Sequence, residues 1–201
     1  MSVPLGAPMS TAPAARRPYL RPWNSADAPA LRAARASDAD LAVQFGGAGL
    51  TTDMECVDYI GNYLAFADNA KNFAIVLAGT VVGNIGMTAI DMHHQTAWMS
   101  YWLAASARGQ MLATRGLVAV CDYAFANELF RLELGHRTNN PASCRVATRA
   151  GFISEGIQRQ HLRYGEQRYD VELHARLATD PIPNISALEI EVSESLHCPP
   201  L

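Results

Sequence analysis

The 201-residue chain has no excess of basic residues, no long apolar run and no paired cysteines, and each absence excludes something. Sixteen Lys and Arg stand against nineteen Asp and Glu, a formal charge of −3, and the arginines are scattered rather than clustered. Without a basic field to draw phosphate backbones, nucleic acid is not an expected partner. No stretch approaches the ~18 apolar residues of a membrane span, and the first residues lack the continuous apolar core of a secretion signal. The expectation is a protein with no membrane partner, residing in the cytoplasm. The four cysteines, Cys56, Cys121, Cys144 and Cys198, form no C-x-x-C pair and have no histidines at zinc spacing. Neither a disulfide framework nor a metal site is indicated, and the expected metal content is none.

What is present fits one domain of ordinary size, with 49% hydrophobic residues. Residues 1–18, rich in Ala, Pro and Ser, recover too little burial to offset their ordering entropy and read as a flexible tail. The domain proper is expected over residues 19–178. A C-terminal tail over 179–201 follows, beginning near "PIPNISALEIEV", where two prolines interrupt regular structure and docking or looseness both stay open. "YLRPW" reads as a first strand, and "SADAPALRAARA" as a helix with Ser25 as cap. A second helix is expected over Thr52 to Ala67, with Val57, Ile60 and Leu64 at helical spacing. "NFAIVLAGTVVGNIGMTAI" then suggests a hairpin turning at Ala78-Gly79-Thr80, followed by the strand "TAWMSYWLA". Met111 to Leu129 returns to helix and "RLELGHRT" to strand. Asn140-Pro141 opens a short helix with Asn as N-cap and Pro at N1, which Gly151 closes. A last hairpin turns at Tyr164-Gly165-Glu166. The order is strand, two helices, three strands, helix, strand, helix, two strands: an α/β (α+β) chain with a mixed, mostly antiparallel central sheet flanked by helices.

Two stretches can carry chemistry. "AASARGQ" runs into a helix N-terminus, where the first backbone N–H groups lack intrahelical partners and the peptide dipoles add, so an anion is favoured. Arg108 adds positive charge there, and Gly109 permits backbone angles closed to other residues. An ordinary strand-to-helix connection is the plain alternative. In "TNNPASCRVATRAGF", Asn140 and Ser143 sit at the mouth of a helix that follows a strand, so both can face one ligand from the same sheet edge. Asn140 as a mere cap is the plain alternative.

Together these residues resemble the GNAT acetyltransferase family, within it the branch of ribosomal-protein N-terminal acetyltransferases. The resemblance runs from about Tyr19 to Ala178. It rests on "LRPW" with its alanine-rich helix, "VVGNIGM", "YWLAASARGQMLATRGL", "CDYAFANELFRLEL" and "NNPASCRVATRAGFISEG", in family order. Arg108 and Ala113 fit the ends of the family's Q/R-x-x-G-x-G/A motif, while Met111 replaces its first glycine. The N-x-x-S-x-x-x-x-x-x-x-G-F pattern is intact in Asn140, Ser143, Gly151 and Phe152.

The resemblance implies a sheet in which "TAWMSYWLA" and "RLELGHRT" splay apart to admit the pantetheine arm of acetyl-CoA. Trp102, Leu103 and Ala104 would bond the pantetheine amides. Arg108 and the backbone of Gly109, Gln110, Met111, Leu112, Ala113 and Thr114 would meet the pyrophosphate, and Asn140 the same arm. Ser143 matches a serine that protonates the departing thiolate. Such transfer needs a neutral amine, donors for the developing oxyanion and a proton for sulfur, but neither a protein nucleophile nor a metal. Direct attack in a ternary complex on a protein N-terminus or small amine is expected. Relatives often carry a glutamate in the strand before "YWL", where this chain has Trp98 and Met99. Glu133 is therefore the first candidate base, with Asp91, His93 and His136 behind it; a neutral amine would need none. A CoA-binding module that has lost catalysis is the rival reading, a dimerising scaffold is a third, and a homodimer stays open.

Overall fold

The computed structural model describes residues 17–45 and 49–192. The flexible tail expected over 1–18 lies almost wholly outside the described residues, as do residues 193–201 of the expected C-terminal tail.

One mixed sheet organises the chain. Strands β1 (Tyr19–Pro22), β3 (Ala70–Leu77), β4 (Thr80–Asp91), β5 (Thr96–Leu103), β6 (Arg131–Arg137), β7 (Ile153–Tyr164), β8 (Gln167–Leu177) and β9 (Glu189–Ile190) lie in the order β7-β8-β6-β5-β4-β3-β1-β9, and β2 (Phe66–Ala67) pairs with β3. Only β5 with β6 and β1 with β9 are parallel, so the mixed, mostly antiparallel sheet is as expected. Helices α1 (Ala28–Ala36), α2 (Ala39–Gln44) and α3 (Asp53–Tyr63) cover one face, and α4 (Leu112–Ala126) and α5 (Pro141–Arg149) the other.

Local chemistry sets most of these boundaries. The β3–β4 hairpin turns through Ala78 and Gly79 at φ 49° and 81°, two positive values that match the right-handed twist of the flanking strands. Asn140 accepts a bond from the backbone N–H of Ser143 at 3.1 Å, with Pro141 opening α5 behind it. Gly151 closes that helix at φ 87°.

Three expectations need correction, and one left open is resolved. Asn24, not Ser25, caps the first helical turn: its side chain accepts from Ala26 N–H at 2.9 Å, Asp27 reaches back to the Asn24 N–H at 3.0 Å, and Arg21 grips both Asp27 oxygens at 2.7 Å. Ser25–Asp27 is accordingly a 3-10 turn. The second helix stops at Tyr63, because Phe66 leaves it to pair with Lys71 and pack edge-on against Phe73. The extra helix α2, capped by Asp38, precedes it. Beyond residue 178 the chain docks: Leu188 is buried, its N–H bonds the Arg115 carbonyl at 3.2 Å, and β9 extends the sheet beside β1.

A buried polar chain ties the helical layer to the sheet. Trp23 Nε1 donates to Asn84 at 2.8 Å, Asn84 donates to Asn72 at 3.2 Å, and Asn72 donates to the Ala65 carbonyl at 3.2 Å. Each buried group finds a partner, which avoids the ~1–3 kcal/mol cost of an orphan. Beside it β4 and β5 approach very closely: a Cβ on Gly83 would stand 2.5 Å from the Trp102 carbonyl oxygen. Backbone cannot yield as a side-chain tip does, so Gly83→Ala is expected to cost about 1–3 kcal/mol. Urea denaturation checks this; wild-type stability for the variant would mean that the two strands are not held so close.

Candidate active site

β5 and β6 pair only over Thr96↔Arg131, Ala97↔Leu132 and Trp98↔Glu133. β5 then stays with β4 to Leu103 while β6 stays with β8 to Arg137. The two strands therefore diverge, and past Trp98 their facing edges have no ladder partner. This is the splay the resemblance implies, and it opens into a cavity of about 600 Å³.

Most of the expected cofactor residues meet there. Trp102, Leu103, Arg108, Gly109, Met111, Leu112, Ala113, Thr114, Asn140 and Ser143 all line the cavity. Ala104 and Gln110 do not: the Ala104 N–H bonds the Val82 carbonyl at 2.8 Å, and the Gln110 side chain turns to the Ser106 carbonyl at 3.4 Å. At the start of α4 the first intrahelical bond is Arg115 N–H to the Met111 carbonyl, 2.9 Å. Among the described residues, none of the six amides from Gly109 to Thr114 has a hydrogen-bond partner. That run, at the positive end of a 15-residue helix, suits a pyrophosphate.

Positive side chains surround it. Arg145 and Arg149, one turn apart on α5, and Arg137 at the end of β6 join Arg108 in the lining. Arg108 is itself ion-paired with Asp38 at 2.5 Å, and that bond holds the Asp38 carboxyl below its ordinary range. Arginines dispersed in sequence are thus gathered by the fold, which sequence reading missed because no single stretch holds them.

Met111, expected as the first residue of the helix, instead precedes it at the N-cap position. An ordinary helix-start residue has negative φ, but Met111 sits at φ 61°, ψ 7°, in the left-handed region, and provides no side-chain cap. The family glycine at this place has a backbone reason, since a Cβ is disfavoured there by about 1–2 kcal/mol. The side chain lies at the cavity wall, where an Arg149 guanidinium nitrogen stands 3.3 Å from its sulfur.

Ser143 is placed by α5 and by β5. Its Oγ lies 2.7 Å from the Tyr101 hydroxyl, which also reaches the Ser143 carbonyl oxygen at 2.9 Å. Burial pushes the Tyr101 hydroxyl up to about 12, with the Ser143 contact opposing, so Tyr101 stays protonated across the neutral range. Tyr101 was not singled out from sequence; strand alternation along "TAWMSYWLA", which puts Ala97, Met99 and Tyr101 on one face, was the available signal.

The candidate bases lie elsewhere. Glu133 lies on β6, bonded by Arg131 at 2.6 Å, and is not a lining residue. Asp91 and His93 occupy the exposed turn after β4, where the Asp91 carboxylate accepts from the N–H groups of His93 and His94 at 2.8 and 3.1 Å. His136 is buried between β6 and α5, its Nε2 3.0 Å from His174 Nε2.

A splayed mixed sheet with an unpaired-amide loop at a helix start and a polar helix mouth opposite defines an α/β domain with an anion-binding wedge in its sheet. The family model described as "Acetyltransferase (GNAT) domain" matches residues 17–153, and the chain belongs to that family. The ribosomal-protein-serine acetyltransferase of Escherichia coli is 37% identical over 109 residues, covering 54% of this chain and 61% of that protein. The chain thus spans about three-fifths of the length of that curated relative. Among solved structures, RimL, a ribosomal L7/L12 alpha-N-protein acetyltransferase in complex with coenzyme A held as a disulfide, superposes with a TM-score of 0.71 at 26% identity, over 85% of this chain and 96% of that one. Mycobacterium smegmatis RimJ, in complex with CoA-disulfide, gives 0.70 at 26% identity over 79% and 81%. Among the described residues no helix is long and apolar enough to cross a membrane.

Because Met111 holds a left-handed backbone with a Cβ, Met111→Gly is expected to stabilise the protein by about 1 kcal/mol, the reverse of the cost expected at a regular helix start. CoA affinity should be unchanged or tighter, since all six amides remain. Thermal melting and calorimetry check both; a collapse of affinity with the fold intact would make Met111 itself a ligand contact.

Proposed function

We propose that the protein is an acetyl-CoA-dependent N-acetyltransferase that moves an acetyl group to a primary amine, with a protein N-terminus as the acceptor, by direct attack in a ternary complex. The observation that carries this is the run of six unpartnered amides at the start of α4, facing Ser143 across the wedge between β5 and β6. The names of the relatives, which act on ribosomal proteins, support the protein N-terminus over a small amine.

Gly109 to Thr114 and the four cavity arginines would hold the cofactor's phosphates, and the unpaired edge of β5 at Trp102 and Leu103 its pantetheine amides. Acetyl-CoA would supply an activated thioester, whose acyl carbon takes the amine nitrogen while the sulfur leaves with the bonding electrons.

This chain's residues manage protons and water. Ser143 Oγ gives its proton to the leaving sulfur, and Tyr101, bonded at 2.7 Å, orients that hydroxyl and can return a proton to it. Asn140 fixes the helix mouth from which Ser143 projects. Neither Glu133 nor Asp91 lines the cavity; among the described residues Asp40 is the carboxylate that does, and the amine arrives neutral, its surplus proton passing to solvent or to Asp40. A metal has no role in these steps.

Ser143→Ala is expected to lower kcat by ~10²–10⁴-fold, the range typical of a lost general acid, with CoA affinity nearly unchanged. Tyr101→Phe should fall in the same direction by less. Asn140→Ala should instead lose about 0.5–2 kcal/mol of stability along with cofactor affinity. Thiol release with N-terminal peptides, beside calorimetry with CoA, decides the matter. CoA binding without turnover on any amine would favour the degenerate binding module, and Ser143→Ala with wild-type kcat would remove the serine from the chemistry.

A further inference from the structure

Behind the cavity wall, on the face of the sheet covered by α5, four side chains distant in sequence converge. His136 stands on β6, Glu172 and His174 on β8, and Cys144 in the first turn of α5, with one ligand atom of each within 4.8 Å of all the others. The register explains it: His136 lies opposite Glu172, and Leu134 opposite His174, so the three strand side chains share one face. We propose that this cluster is a zinc site, with His136 Nε2, His174 Nε2, Glu172 Oε2 and the Cys144 thiolate as the four ligands.

The nitrogen and oxygen distances fit a tetrahedral ion, and the Cys144 sulfur, within 4.8 Å of those atoms, would close in on binding. The two Nε2 atoms are 3.0 Å apart, and Glu172 Oε2 is 3.5 Å from each. Zinc at its usual bond lengths to nitrogen and oxygen sets neighbouring ligand atoms about 3.3–3.5 Å apart. His, His, Glu and Cys form a mixed nitrogen, oxygen and sulfur set of the borderline softness zinc prefers.

The tautomers fit as well. His136 Nδ1 lies 3.0 Å from the Arg137 carbonyl oxygen, which can only accept, so Nδ1 carries a proton and the neutral ring presents its Nε2 lone pair to the cluster. A carbonyl behind the ring is the usual outer support of a metal-bound histidine. His174 Nδ1 is buried without a partner in either tautomer, so placing its proton there forfeits no bond at Nδ1 and turns a second lone pair inward. Glu172 Oε1 is held by the Ser154 hydroxyl at 2.8 Å, which leaves Oε2 aimed at the two rings.

Charge completes the argument. Among the described residues no Lys or Arg is ion-paired with Glu172; its two contacts of that kind are the histidines. With both Nε2 atoms unprotonated, three lone pairs converge beside buried rings, and a cation among them would relieve their repulsion. A divalent ion with one carboxylate, one thiolate and two neutral imidazoles is electrically balanced. It would clamp β6, β8 and α5 together directly behind Ser143.

The test uses the full chain, freed of metal with a chelator, then titrated with Zn²⁺ against a chromophoric competitor and, separately, with Co²⁺. One Zn²⁺ per chain is expected, with a rise in Tm. The Co²⁺ form should show tetrahedral visible bands and a near-ultraviolet thiolate band that Cys144→Ser removes. Glu172→Gln, nearly isosteric and at a partly exposed position, should keep its circular dichroism while weakening Zn²⁺ at least a hundredfold. No stoichiometric uptake by wild type, equal affinity in Glu172→Gln, or Co²⁺ bound without a thiolate band would each overturn the site; the first would leave the two imidazoles sharing a proton instead. CoA titrated into the metal-free protein is a separate measurement. Its binding there upholds the acetyltransferase reading whatever zinc does, and its failure leaves the zinc result standing.

Discussion

The loss of backbone pairing between β5 and β6 beyond Trp98 and Glu133 is the constraint on which the rest depends. In a closed sheet every central N–H and C=O is used by a neighbour, and nothing is left for a ligand. Here two neighbouring strands share three residue pairs and then follow different partners, β5 with β4 and β6 with β8. The opening is held from both sides. At its closed end Gly135 leaves room for Val171 and Trp98, where a Cβ would stand 2.8 and 3.3 Å from their side chains. At its open end Tyr101 on β5 reaches across to Ser143 on α5, so the helix that follows β6 is tied to the strand β6 has left.

That geometry also explains how a chain of net negative charge builds a positive cavity. Arg137 ends the diverging strand, Arg145 and Arg149 lie on the helix that follows it, and Arg108 precedes α4, so the wedge itself brings them together. Arg137 is steadied over the rings of Tyr164 and Tyr169, 5.3 and 5.1 Å away. The start of α4 is braced from behind by the C-terminal segment: Arg115 donates to the Ser186 carbonyl at 2.9 Å, and Leu188 returns a bond to the Arg115 carbonyl. Preorganised amides cost a ligand less to engage than a mobile loop would. The docked segment therefore contributes to the site without touching it.

Features fixed by a few neighbouring residues were legible in the sequence. Asn140 and Pro141 announce α5, Ala78 and Gly79 a turn, and the ordered motifs locate the amide loop and Ser143. Features that depend on where strands lie were not. Nothing in "RLELGHRT" or "RYDVELHARL" says that His136 and Glu172 are register partners, because zinc spacing in sequence presumes ligands on one local motif. The left-handed Met111 was misjudged for a related reason: helical periodicity reports the residues after it and is silent on the backbone of the one before. The strand β9 was hidden because two residues of parallel pairing carry no pattern of their own. That Glu133 stands outside the cavity lining was equally hidden, because where β6 parts from β5 is set by strand register.

The first turn of α5 joins the two centres. Ser143 and Cys144 are consecutive, and on a helix consecutive side chains diverge by about 100°. The serine turns to Tyr101 and the wedge, while the cysteine turns to the histidines between helix and sheet. Asn140 caps both residues' turn through the Ser143 N–H, and its carbonyl accepts the Cys144 N–H at 3.2 Å. A shift of this turn that improved one alignment would disturb the other, so position 144 is constrained by more than its own volume. The hydroxyl that has to meet a leaving sulfur is thereby anchored at three points: a cap in front, a tyrosine across the wedge, and the buried cluster behind.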